Sequence, residues 1–326
     1  RTSGGSTSER AASIHQRRSA SLQLLAGPAP RSSDVDADRV QSAGSDPTHQ
    51  WRMRDVVVVH AREGAWELPS FCPASVSVLA YLRLSRIAFS ESPCSSSSTS
   101  PSGSLPVLES GDELVGNEDT SSWRCEWDAA ASILDHLART RVDLDSCLTP
   151  HEKALKMAYA ALVDSKLLPA TVFSTWVSQN SWRNYTQAAY GAGLPFPASR
   201  LVPWRRRREM LRHFADANEG QLVEDAACVY AALAAQLEAR GPFLFGDKPS
   251  SLDMTVFAHL LYHRNAPMCS RLRVELHKHN RLTEYVQHIF LSAFVQPLPP
   301  APVDNYVPPP SAGSSHNPGT KTSKAR

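Results

Sequence analysis

Six cysteines, two neighbouring histidines, one Ser-x-x-Asp box and one arginine run are the residues of this chain whose types and spacing could carry chemistry. Cys72 lies in Phe71-Cys72-Pro73, directly ahead of an apolar segment with helical spacing. A thiol at a helix N-terminus can ionise easily and act as a nucleophile, whereas one buried among apolar groups is inert. Cys94, Cys125, Cys147, Cys228 and Cys269 complete the set, and no two of the six form a Cys-x-x-Cys pair. That spacing supports neither a zinc ribbon nor a dithiol redox motif. Scattered cysteines in a chain this long read as reduced thiols. His277 and His279 are two apart, so on a helix they point to different faces and make poor partners for one metal. No Gly-rich phosphate loop, His-Glu-x-x-His or Gly-x-Ser-x-Gly motif occurs. No metal and no cofactor are expected.

The arginine run is Trp204-Arg205-Arg206-Arg207-Arg208, continuing to Arg212, with Glu209 its one opposing acid. Five arginines against one acid give a local charge of +4. Such a run is either a solvated helix face or a site for acidic partners or anionic headgroups. Near an anionic membrane each basic residue contributes about 1 kcal/mol, and tryptophan suits the interface. Nucleic acid is not expected: the whole chain carries only +2, and no recognition motif is present.

Ser250 and Asp253 are three apart and precede the apolar residues Val256, Phe257, Leu260 and Leu261. This is the spacing of a capping box, in which the hydroxyl accepts the N3 amide and the carboxylate reaches back to the cap amide. The acid also suits the positive end of the helix. Capping is the expected role of Asp253, and loss of its side chain is expected to cost about 0.5–2 kcal/mol.

The elements that must position these residues can be read along the chain. Hydrophobic residues make up 42% of 326 and aromatics 8%, values that suit a folded soluble protein. Residues 1–54 are polar and irregular, Arg- and Ser-rich at their start, and read as a disordered extension or a transit segment. Residues 297–326 contain eight prolines, seven of them between 297 and 310, and read as a disordered tail. Between them, 55–140 reads as a small α/β domain. Val56-Val57-Val58-Val59 suits a buried strand, Ala74 to Leu84 a helix, Ile87-Ala88-Phe89 a strand, Leu105-Pro106-Val107-Leu108 a strand that starts on proline, and Ala129 to Ala138 a short helix. Residues 90–104, with nine serines, read as a flexible loop. From 145 to 296 the pattern is helical: Ala154 to Lys166, Glu219 to Arg240 ending at Gly241-Pro242, and Leu282 to Ala293. No apolar run of about 18 residues occurs, so no transmembrane helix is expected.

The order of a small α/β domain followed by a helical domain with a Ser-x-x-Asp box resembles the glutathione-transferase architecture, and more closely the metaxins. Phe71-Cys72-Pro73, Val78 to Leu84, Leu105-Pro106-Val107-Leu108 and Asn117-Glu118-Asp119 carry the resemblance in the first half. Lys166-Leu167-Leu168-Pro169, Trp176-Val177, the stretch Phe243 to Asp253, Arg273 to Leu276 and Leu282 to Val286 carry it in the second. It covers about residues 55–296, is nearest to the plant type of the family, and treats the Ser-rich loop as an insertion. The fold class it implies is α+β, a thioredoxin-like N-terminal domain followed by an all-α glutathione-transferase-like C-terminal domain. Pro106 would then sit in the loop that contacts peptides and glutathione in this fold, with its isomer open.

The resemblance implies a non-enzymatic role on the cytosolic face of the mitochondrial outer membrane. The partners would be subunits of the sorting and assembly machinery and precursor proteins, and attachment to the membrane would be peripheral. The alternative is a glutathione transferase or thiol-dependent reductase using Cys72. Against the alternative, the acid-hydroxyl pair that would hold glutathione aligns with Ala129-Ala130, with Asp128 one residue out of place. Outside catalysis, the expected site residues are Trp204, Arg205, Arg206, Arg207, Arg208 and Arg212 for partners or membrane, and Pro106, Ser250 and Asp253 for structure.

Overall fold

The computed structural model describes residues 56–94, 105–117, 119 and 121–302, all within one compact unit, Thr48–Arg326. The expectations for 1–54, for most of the Ser-rich loop and for most of the C-terminal tail lie outside the described residues. Four strands form one mixed sheet in the order β2-β1-β3-β4. The central strand β1 (Val57–Arg62) is rich in β-branched residues and buried at Val57, Val59, Ala61 and Arg62. Parallel strands need a crossover, and α1 (Pro73–Leu84) supplies it between β1 and β2 (Phe89–Cys94). On its other side β1 pairs antiparallel with β3 (Val107–Ser110), which pairs with β4 (Glu113–Val115). The Leu105-Pro106 bond entering β3 is cis.

Two strand expectations change. The second strand runs over Phe89–Cys94 instead of 87–89, so residues 90–94 are strand and not loop. β2 is an edge strand with one free side, which is where Pro93 and exposed serines can sit in a ladder. The three-residue β4 was not expected, and it makes the order β-α-β-β-β-α.

α2 spans Cys125–Thr140, longer at both ends than the expected helix. The helical half then opens with α3 (Pro150–Leu162), started by a second capping box, Thr149 with Glu152. Its rod continues through π turns at Val163–Leu167 and Phe173–Val177 that flank α4 (Leu168–Val172). Pro169 lacks an N–H, and the wider turn before it accommodates that loss. α5 (Gln179–Ser181), a π turn at Trp182–Thr186 and α6 (Gln187–Gly191) lead to α7 (Ala198–His213), the arginine helix. α8 (Glu219–Arg240) ends where expected, at Gly241, whose φ of 124° lies in the left-handed region that glycine adopts freely. α9 (Ser251–Asn265), α10 (Ser270–Leu276) and α11 (Asn280–Phe294) follow.

One contiguous hydrophobic core runs from Val57 and Val59 through α1 into α8, α9 and α11. α9 is its axis, with Val256, Phe257, Leu260 and Leu261 fully buried. A second cluster joins Phe71 to Leu168, Trp176, Trp182, Tyr190, Met210 and Phe214. Residues 297–302 depart from the expected tail. Leu298 packs on the core, and the Pro299 carbonyl accepts from Arg264 at 2.7 Å.

Candidate functional site

Cys72 is the N-cap of α1, with Pro73 in the first turn, so the backbone gives it the location of a helix-activated nucleophile. Its surroundings do the reverse. The thiol is fully buried, and its Sγ lies 3.6 Å from Glu126 Oε2. Burial pushes the thiol up to about 12, and the carboxylate of Glu126 adds to the rise by repelling a thiolate. Arg62 opposes this only in part, because it already serves Glu126 at 3.2 Å. Burial pulls the Arg62 guanidinium down, and Glu126, Tyr190 and Cys72 together more than offset it, leaving it raised and charged. The guanidinium also stacks over the rings of Tyr190 at 4.6 Å and Phe71 at 5.6 Å. This cluster joins β1, α1, α2 and α6, so it bridges the sheet half and the helical half.

Beside Cys72 little space remains between the halves. A cavity of about 20 Å³ remains beside Pro73, Glu126, Trp127, Tyr190 and Tyr262. That is room on the scale of one water, against the roughly 300 Å³ at which small-molecule sites begin. Trp127 stacks on His259 at 4.0 Å between centroids on one wall of this cavity. His259 and His263 share the hydroxyl of Thr171 at 2.9 and 2.7 Å, and His263 also meets the Tyr230 hydroxyl at 2.8 Å. Burial holds both imidazoles below their ordinary range, His263 at about 3. They are therefore neutral members of a buried network.

Placement of the acid needs correction. α2 starts at Cys125, so Ala129 and Ala130 lie in its second turn and are buried against the core. The acid aimed at Cys72 is Glu126, from the first turn. Arg62, Glu126 and Tyr190 were missed because they stand 10, 54 and 118 positions from Cys72 in the sequence. The apolar-to-charged step Ala61-Arg62 at the end of a buried strand was the one signal that could have pointed to a paired arginine.

The arginine run divides into two sets. Arg206 points inward. Its guanidinium donates to the carbonyls of Ser122 at 3.0 Å and Trp123 at 3.3 Å, and reaches the Cys125 sulfur at 3.0 Å. Arg207 donates to the carbonyls of Trp176 at 3.1 Å and Val177 at 3.2 Å, and lies 5.0 Å from the Trp182 ring. These two are clamps onto backbone carbonyls of neighbouring segments, not free surface charges. Arg205, Arg208 and Arg212 point outward with Trp204. Arg205 is 83% exposed and reaches Glu209 only at 3.7 Å.

Ser250 caps α9 as expected, but Asp253 does more than the box requires. Its carboxylate accepts from the amides of Ser250 at 2.8 Å and Leu244 at 3.0 Å and from the hydroxyls of Ser250 at 2.6 Å and Tyr285 at 2.8 Å. Burial pushes this carboxyl up, and the four donors oppose it. Asp253 thus ties the loop before α9 and the helix α11 to the cap. Among the described residues no helix is long and apolar enough to cross a membrane.

Residues 75–207 match a family described as an outer mitochondrial membrane transport complex protein, and residues 226–289 match a glutathione S-transferase C-terminal domain. Metaxin-1 of Mus musculus is 28% identical over 238 residues, covering 69% of this chain and 71% of its own length. The mitochondrial outer membrane import complex protein METAXIN of Arabidopsis thaliana is 29% identical over 259 residues, covering 76% of each chain. A glutathione transferase from Phanerochaete chrysosporium superposes over 72% of this chain and 96% of its own, with a TM-score of 0.49 and 14% identity.

Proposed function

We infer that this chain, a relative of the metaxins, serves mitochondrial protein import at the outer membrane as a contact-making subunit and not as a transferase. The observation that carries the second half of this reading is the sealed Cys72 site. A transferase of this architecture needs a group that favours a thiolate and a cleft open to a tripeptide. Here the carboxylate of Glu126 faces the sulfur, and about 20 Å³ of free space is left beside the start of α1. An architecture that fills the space beside Cys72 with Arg62, Tyr190, Trp127 and Tyr262 keeps its rigidity and leaves that thiol no room for a substrate.

On this reading the chain works on the cytosolic face, with subunits of the sorting and assembly machinery and with precursor proteins as partners. Affinity purification of the tagged full chain from mitochondria tests it. Recovery in an outer-membrane complex, with no retention on glutathione resin, is the expected result. Retention on the resin together with turnover of a model substrate, lost in Cys72→Ala, would overturn it in favour of a transferase or reductase.

A further inference from the structure

We propose that the outer face of α7, with Phe196 and the groove between α6 and α7, seats this protein on an anionic lipid bilayer. The location of that bilayer rests on the outer-membrane reading, while the surface itself does not. At about 100° per residue, Arg200, Leu201, Trp204, Arg205, Arg208, Leu211 and Arg212 fall within an arc of about 140° on one side of the helix. The opposite side holds the buried Pro203 and Met210, flanked by the two inward clamps Arg206 and Arg207. The helix is therefore packed on one face and carries arginine and large apolar side chains together on the other.

The apolar members are not incidental. Phe196 is 80% exposed, Leu201 58% and Trp204 49%, within three turns of chain. Leu201 and Trp204 stand about 60° apart around the helix, and apolar side chains gathered on one face of a folded protein mark an interface. Arg208 lies 5.6 Å from the Trp204 ring, so cation and aromatic share one surface. Arg200, Arg208 and Arg212 make no ion pair among the described residues. Beside this face a groove of about 460 Å³ is lined by Arg183, Arg200, Gln187, Ser199, Gly191 and Ala192, with no acid on its walls. Two guanidiniums over small side chains suit a phosphate-bearing headgroup.

Charge complementarity identifies the partner as anionic. The interleaving of the charges with Phe196, Leu201 and Trp204 selects a bilayer over an acidic protein. Arginine stems and tryptophan lie well at the boundary between headgroups and acyl chains, and there the same surface must satisfy both.

The test uses the full chain and vesicles of phosphatidylcholine alone or with about a third of the lipid replaced by phosphatidylserine. Sedimentation is expected with the anionic vesicles only, falling as salt rises. At the usual contribution per basic residue, Arg205→Gln/Arg208→Gln/Arg212→Gln should weaken binding about a hundredfold at low salt. Arg183→Gln/Arg200→Gln should weaken it independently. Brominated acyl chains should quench fluorescence in the wild type and less in Trp204→Phe, a readout that does not depend on the arginine variants. Equal binding to both vesicle types, equal binding by the triple variant, or absence of Trp204 quenching would each overturn the proposal. So would a preference for an acidic protein or RNA over the vesicles. The triple variant still entering the outer-membrane complex would leave the import reading standing, and loss of the complex with vesicle binding intact would sink that reading alone.

Discussion

At pH 8 an ordinary thiol with a pKa of about 8.5 is roughly a quarter ionised. Cys72, pushed up to about 12 by its burial and by Glu126, is ionised at about one part in ten thousand. Ionisation alone should therefore slow its alkylation by about 2,000-fold, since only the thiolate attacks. Burial slows it further, because the sulfur is fully enclosed and must wait for local opening. Cys147 and Cys228 are exposed and provide an internal reference. The assay is iodoacetamide labelling of the native protein, resolved by peptide mass spectrometry, with a urea-unfolded sample to show that Cys72 is chemically competent. Cys147 and Cys228 should be labelled in minutes while Cys72 stays unmodified, and all three should react alike once unfolded. Native labelling of Cys72 within tenfold of Cys147 would refute the argument that this helix start is sealed, and with it the case against thiol chemistry.

Asp253→Ala should destabilise by about 3–6 kcal/mol, more than a cap alone, because Leu244 N–H and Tyr285 O–H are left buried without an acceptor. A urea midpoint shift worth under about 1 kcal/mol would show that water replaces the carboxylate. His259 and His263 are held below the unfolded value of about 6.5, so their contribution is present above that pH and is lost as pH falls toward 3. Between pH 7 and 5 His263 alone should cost about 2 kcal/mol of stability, and His263→Gln should remove that share of the drop in thermal or urea unfolding. Gly191→Ala would set a Cβ 2.2 Å from the Ser199 carbonyl oxygen. It should destabilise by about 1–3 kcal/mol, read as a lower melting temperature, unless α6 and α7 separate at no cost.

Legibility tracked distance along the chain. Helix α8, the Gly241 stop and the Ser250 cap were readable, because periodicity and capping are decided within a few residues. The sheet was half readable. β1 announces itself with three valines, whereas Phe89–Cys94 is a serine-bearing edge strand whose partner supplies what its side chains do not. The Cys72 cluster was not readable: Arg62, Glu126 and Tyr190 meet it only once strand, crossover helix and helical half are assembled. Proline mattered in the same way. Eight prolines near the end suggested a tail, yet Arg264 and Arg273 fasten the carbonyls of Pro299 and Pro302 to the core. A residue without an N–H still offers an acceptor, and composition counts do not register that.

The arginine run shows what a further step of sequence reasoning can recover. Taken as a block, residues 205–212 carry one patch of +4. Wound at 3.6 residues per turn, the same block cannot present all its charges to one side. Pro203 and Met210 are the apolar residues seven apart, and a helix must bury that pair on one face. Arg206 and Arg207 then flank the buried face, where each guanidinium reaches backbone carbonyls of neighbouring segments. Arg205, Arg208 and Arg212 are left outside by the same rotation, together with Leu201 and Trp204. Clamp and docking surface thus come from one stretch of sequence, and the helical repeat assigns each arginine to its side.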